Sequence, residues 1–150
     1  MFEVFLLSTV LFTNLFTINT KEVHVFPFTS IKIIDNNIFF TLDNVRSDWH
    51  RLLSIDNIGA DVFIRKAKEN FGLLNCDYEI ACYKYNLITD FEKVYEISTK
   101  EKLPLHVSVE YMEKNVKKQT GIDIESTSEK YTLYKSFKEQ NIKGNFINTY

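Results

Sequence analysis

Residues Asp56 to Gly72, DNIGADVFIRKAKENFG, constrain the fold more than any other stretch, because they sort apolar and charged side chains onto opposite sides of one helix. At 100° per residue, Ala60, Phe63, Ile64, Ala67 and Phe71 share a stripe about 100° wide, while Asp61, Arg65, Lys66, Lys68, Glu69 and Asn70 fill the opposite side. Asp56 is expected as the N-cap, its carboxylate accepting first-turn N–H groups, and Gly72 as the left-handed residue after the last turn. Two alanines at the centre of the stripe let a flat partner such as a sheet approach closely. Burial of Phe63, Ile64 and Phe71 contributes roughly 5 to 9 kcal/mol before conformational entropy is subtracted. The helix is read as a core element.

Composition then limits the classes. A chain of 150 residues, 45% hydrophobic and 25% charged, suits one globular domain that buries about two thirds of its unfolded surface. A net charge of -2 without a basic or acidic block offers no field for nucleic acid, and that partner class is set aside. Four glycines and two prolines argue against long flexible linkers, and no internal repeat is present.

Residues 1–20, MFEVFLLSTVLFTNLFTINT, form an apolar run with one charge, Glu3, and look like a secretory signal peptide. No basic residue precedes the apolar core, Ser8, Thr9, Thr13 and Asn14 interrupt it, and no small-x-small cleavage site stands before Lys21. An N-terminal membrane anchor is marginal, since a span needs about 20 apolar residues. A buried first strand is the third reading, because Phe, Val, Leu and Thr also suit a sheet. The expected organisation is a signal peptide or anchor over residues 1–20, one α+β domain over 21–144 and a short tail over 145–150.

Along the domain, VHVFPF, SIKII and IFFTL read as strands, with Asp35, Asn36 and Asn37 turning the second into the third as a hairpin covered on both faces, and Pro27 suited to an edge. Asp43 or Asn44 is expected to cap a short helix in which Val45, Trp49, Leu52 and Leu53 share a face, with Trp49 as a core anchor. Leu74 to Ser98 fits both periods. Aromatic density favours strands there, although Thr89 to Glu92 also fits a capping box. LPLHVSVEY is a half-buried strand with Leu103, Leu105, Val107, Val109 and Tyr111 on one face. TGIDIESTSE reads as a loop, after which Ser126 and Glu129 form a capping box opening a helix lined by Tyr131, Tyr134, Phe137 and Asn141 and ended near Gly144.

Chemistry is sparsely marked. Cys76 and Cys82 form a candidate disulfide that requires a bend between them, because residues six apart lie about 20 Å apart on a strand and about 9 Å on a helix, whereas a bridge needs about 7 Å or less. Two buried free thiols are the competing reading. His24, His50 and His106 match no compact metal pattern with the cysteines. His106, Ser108 and Glu110 share a strand face about 6.6 Å apart in succession, too far for direct hydrogen bonds without help from other strands. Asp48, Trp49 and His50 form a further triplet, read as a core residue between two marginal ones. Dinucleotide, phosphate-loop, zinc-protease and nucleophile-elbow motifs are absent, and no N-x-Ser/Thr sequon is present.

These readings converge on an α+β fold, a mostly antiparallel sheet packed on the central amphipathic helix. The alternative is a mainly α domain behind an N-terminal β-hairpin. The expected function is a secreted or lumenal binding module for a protein partner, with Tyr83 and Tyr85 as exposed contact residues on one strand face. A small hydrolase or transferase using a histidine with Cys82 or a carboxylate is the alternative, and a structural or assembly subunit is the third class. No cofactor and no metal are called for. Membrane contact is expected only through residues 1–20, and a cytoplasmic address would follow if those residues belonged to the fold.

Overall fold

The computed structural model describes residues 22–43, 48–72 and 82–144, so the expectations for residues 1–20, for Cys76 and for the 145–150 tail lie outside it. Strands β1 (Ser30–Ile34) and β2 (Asn37–Thr41) form the expected hairpin. Asp35 and Asn36 make its turn with φ of 49° and 59°, a left-handed conformation that Asp and Asn reach more readily than other side chains. The same chemistry recurs after β3 (His50–Ile55), where Asp56 and Asn57 turn at φ 49° and 65° into the two-residue β4 (Ile58–Gly59). Helix α1 (Ala60–Phe71) begins at once. Helices α2 (Cys82–Thr89) and α3 (Phe91–Thr99), strands β5 (His106–Glu113) and β6 (Lys117–Glu125), and helix α4 (Ser128–Gly144) complete the order.

The sheet runs β1-β2-β3-β5-β6, antiparallel throughout, with β4 paired to β3 off that path. Its inner face carries Ile31, Ile33, Ile38, Phe40, Leu52, Ile55, Val107, Val109 and Ile124, all buried. Helix α3 closes this face through Phe91, whose ring meets Phe28 at 6.1 Å while Phe28 meets Phe40 at 4.5 Å. Helix α1 packs beside it, Phe63 lying 5.7 Å from Phe91. This is the α+β architecture, a mostly antiparallel sheet on a central amphipathic helix. Phe63, Ile64, Ala67 and Phe71 are the buried side of α1, as the stripe requires. Ala67 is fully buried, so Ala67→Phe is expected to overpack the contact and destabilise by about 1 to 3 kcal/mol, read as a lowered midpoint in urea.

Several local expectations are corrected. Asp56 does not cap α1; Gly59 stands at the N-cap without a side-chain bond, and Gly72 is right-handed at φ -67°. The segment His50–Ile55 is a strand rather than a helix, because the Asp56-Asn57 turn folds it into the centre of the sheet, where Leu52 and Ile55 face inward. Within the described part of Leu74 to Ser98 the elements are helices, not strands. Leu87 and Ile88 are the buried side of the end of α2, and Phe91, Val94 and Tyr95 are buried at i, i+3 and i+4 on α3, a helical spacing. Residues 117–125 form a strand and not a loop. The helix after it is capped by Thr127, one residue beyond Ser126: the Lys130 N–H donates to Thr127 Oγ1 at 3.1 Å, while the Ser126 hydroxyl donates to the Pro104 carbonyl. Leu105 is 62% exposed, so the strand's buried face starts at Val107.

Two irregularities meet at one level of β5. Leu53 is an extra residue of β3 between Leu52, which faces Tyr111, and Ser54, which faces Glu110. On the other side Thr120 and Gly121 of β6 stand against the single residue Glu110, with Gly121 at φ 66°. A two-against-one bulge bends the strand and sharpens its twist.

Candidate functional site

The hairpin β1–β2 is expected to be covered on both faces; among the described residues one face is packed against the core, while Lys32, Ile34 and Phe39 on the other are half-buried. Directly opposed residues share a face of the sheet, and those alternating with the buried inner row point away from the helices. In register, Lys32 stands beside Phe39, Phe39 beside Arg51, Arg51 beside Met112 and Met112 beside Lys118. One line across five strands therefore alternates cation and apolar side chain. Ile34, Phe39 and Met112 are half-buried here, where an antiparallel sheet facing water ordinarily places polar residues.

Trp49 belongs to this surface. It is half-buried instead of a core anchor, 6.1 Å from the Phe137 ring of α4 on one side and covered by the Lys32 ammonium 4.1 Å from its centroid. The same ammonium lies 5.8 Å from the Phe39 ring. Burial among these side chains pushes the Lys32 pKa down. Arg51 Nε is buried and has no hydrogen-bond partner. Lys118 is paired with Glu110 at 3.1 Å, but among the described residues no carboxylate lies within 4.0 Å of Lys32 or Arg51. Among the described residues, these two cations of the row have no carboxylate partner.

The expected contact pair behaves differently. Tyr83 is buried, donates its hydroxyl to Asn36 Oδ1 at 3.0 Å and lies under the Lys68 ammonium at 5.0 Å; it ties α2 to the β1–β2 turn. Tyr85 is half-buried against the core. An exposed pair on one face required a strand, and a helix turns the two side chains about 200° apart. Cys82 is disulfide-bonded. A sulfur held in that bond is not a thiolate, so Cys82 offers no nucleophile.

The histidines are dispersed. His50 is buried between the rings of Phe40 and Tyr111, with Nδ1 unpartnered. His106 finds its second-strand partner in Asp123, Nδ1 to Oδ2 3.3 Å, and Asp123 is the register partner of Ser108. That trio has the residue types of a hydrolase, but His106 and Asp123 are more than half exposed on an open sheet face and no bond joins Ser108 to His106 among those observed. It reads as a surface ion pair. His24 stacks on Tyr131 at 5.1 Å and, with Glu92, lines two adjoining cavities of about 270 and 170 Å³ between the N-terminal arm, α3 and α4. Among the described residues no group of three or more His, Cys, Asp or Glu can hold a metal ion, and no helix is long and apolar enough to cross a membrane.

Glu92 stays exposed at the mouth of this cleft, where partial desolvation and then the charge of Asp90 raise its pKa above the ordinary 4.5, with His24 and Lys138 opposing. A carboxyl whose folded pKa is raised binds its proton more tightly in the folded state, so ionising it lowers stability as pH climbs from 4.5 through the folded value. Glu92→Gln is therefore expected to melt above the parent protein at pH 7. The difference should vanish below about pH 4, where the unfolded carboxyl is protonated too; a difference that does not change with pH would contradict this origin.

Asp56, expected as a cap, instead joins three elements. Its carboxylate accepts the Tyr95 hydroxyl and the Ser108 N–H, each at 2.8 Å, and its own N–H donates to the Ser108 carbonyl at 2.8 Å. Tyr95 is buried and its pKa is pushed up, first by that burial and next by the bond to Asp56. The group locks α3 to β5 and carries no concave site. Sequence reasoning missed the cation row because its members lie on five strands; the alternation of Lys32 with Ile31 and Ile33 was the available signal. Compared with protein-family models, curated proteins and solved structures, the chain finds no match, so the functional argument rests on the outer face of the sheet.

Proposed function

We propose that the chain is an exported binding module that contacts a protein partner through the outer face of its sheet. The observation that carries this reading is the apolar and cationic line Lys32, Phe39, Arg51, Met112 and Lys118 on the outer face of the sheet, with Trp49 at its margin between Lys32 and Phe137 of α4. Aromatic, Met and Arg side chains are the types enriched at protein interfaces, and an apolar cluster on one sheet face marks a contact surface. Export is supported by the apolar run of residues 1–20 and by the disulfide at Cys82, a bond favoured outside the reducing cytosol.

Two measurements test it. Expression in a eukaryotic cell is expected to release a product lacking residues up to about 20; an intact Met1 on a cytosolic product would overturn the address. For the surface, a photo-crosslinking residue placed at Met112 should trap a protein partner from the same secreted fraction, and Phe39→Ser with Trp49→Ser should abolish the product while leaving the circular-dichroism melt cooperative. Undiminished crosslinking by that double variant would remove the outer face from consideration.

A further inference from the structure

Building on the outer-face reading, we infer that the partner presents an acidic peptide segment, one carboxylate of which seats over Phe39 between Lys32 and Arg51. Neighbouring strands lie about 4.8 Å apart, so the backbones of Lys32 and Arg51, one strand either side of Phe39, stand about 10 Å apart with the Phe39 ring between them. Neither has a carboxylate within 4.0 Å among the described residues. Arg51 is half-buried with its Nε out of water and unpartnered, so a carboxylate meeting the accessible part of its guanidinium would offset a cation that the fold has already partly desolvated. The Lys32 ammonium, held against Trp49 and Phe39, is likewise partly stripped of water before any partner arrives. Both features favour a counter-charge at this spot.

The surroundings limit the partner to a short acidic stretch. Toward β6 the same face carries Glu110 and Asp123, so a long polyanion following the sheet would run from the cations onto carboxylates. Single-stranded nucleic acid also needs bare rings on which successive bases stack, and Lys32 already covers Trp49, leaving Phe39 as a single platform. A peptide with a few carboxylates among apolar residues meets neither obstacle. Its apolar side chains would lie on Met112 and Ile34.

Trp49 is the only tryptophan, so its emission reports occupancy of this face directly. Titration of the full chain with hexaglutamate at 0.15 M salt is expected to change that emission saturably, whereas hexaglutamine should not. Arg51→Gln and, separately, Lys32→Gln should each weaken the hexaglutamate response at least tenfold, and Arg51→Lys should weaken it less than Arg51→Gln. Equal responses to hexaglutamate and hexaglutamine, or variants that bind like the parent protein, would overturn the inference. So would a twelve-residue oligothymidylate, or phosphatidylserine vesicles, binding more tightly than hexaglutamate. The crosslink at Met112 separates the two levels: a partner still trapped by Arg51→Gln keeps the outer face and discards the acidic segment, whereas no trapped partner in any variant discards the face itself.

Discussion

Replacing Phe91 by alanine is expected to remove about 4 to 5 kcal/mol of stability and to lower the melting temperature by roughly 12 to 20 °C, the largest single effect among the described residues. Phe91 is fully buried at the start of α3 and its ring meets Phe26 at 6.2 Å and 82°, Phe28 at 6.1 Å and 69°, and Phe63 at 5.7 Å and 52°. Those rings come from the N-terminal arm, the approach to β1 and the face of α1. Truncation opens a cavity that three separate elements would have to close, and it deletes edge-to-face contacts worth about 0.5 to 1.5 kcal/mol each. A loss of this size takes a third or more of the stability of an ordinary domain. Phe91→Leu should cost only about 1 to 1.5 kcal/mol, since it refills most of the space. An alanine variant within 1 kcal/mol of the parent in a urea or thermal melt would show that this aromatic cluster is not the centre of the core.

The second large effect belongs to Asp56. Asp56→Ala should destabilise by about 3 to 5 kcal/mol, the sum of three terms that act in different ways. The Tyr95 hydroxyl, buried and now without an acceptor, contributes about 1 to 3 kcal/mol. The charge-assisted bond from Ser108 N–H is lost, and alanine at φ 49° adds about 1 kcal/mol of backbone strain. Asp56→Asn keeps the turn and a neutral acceptor and should lose only about 1 to 2 kcal/mol. A double-mutant cycle with Tyr95→Phe isolates the shared bond; a coupling energy near zero would mean that the carboxylate acts on the turn alone.

Local signals were legible where one physical cause dominated. Asp35-Asn36 announced the first hairpin, and the stripe Phe63, Ile64, Ala67, Phe71 announced α1. The same Asp-Asn pair at 56 and 57 was read as a cap because it precedes that stripe, although it satisfies the hairpin turn equally well. Competing periods explain residues 82–99. Tyr83 and Tyr85, or Phe91, Tyr95 and Ile97, alternate as strand residues, while Phe91, Val94 and Tyr95 have the i, i+3, i+4 spacing of a helix face. Counting only large aliphatic and aromatic positions would have favoured the helix. Strand β6 escaped because it is polar along most of its length, with Ile122 and Ile124 the sole apolar alternation before Ser126. The candidate surface was least legible. Size alone places Trp49 in the core; the structure packs it half-buried against the core beside Phe137, with Lys32 over its other side.

Consider last the bulge that sets Thr120 and Gly121 against Glu110. Strand β6 ends the sheet, and an end strand normally offers a regular ladder of N–H and C=O groups on which another chain can grow. Here the ladder is broken in its middle, with Ile122 to Glu125 in register on one side and Lys117 to Gln119 on the other, and Lys117, Lys118, Asp123 and Glu125 crowd the remainder with charge. The left-handed Gly121 thus acts as a terminator on this edge: a strand-like segment released when another copy of the chain opens would meet an interrupted template along β6.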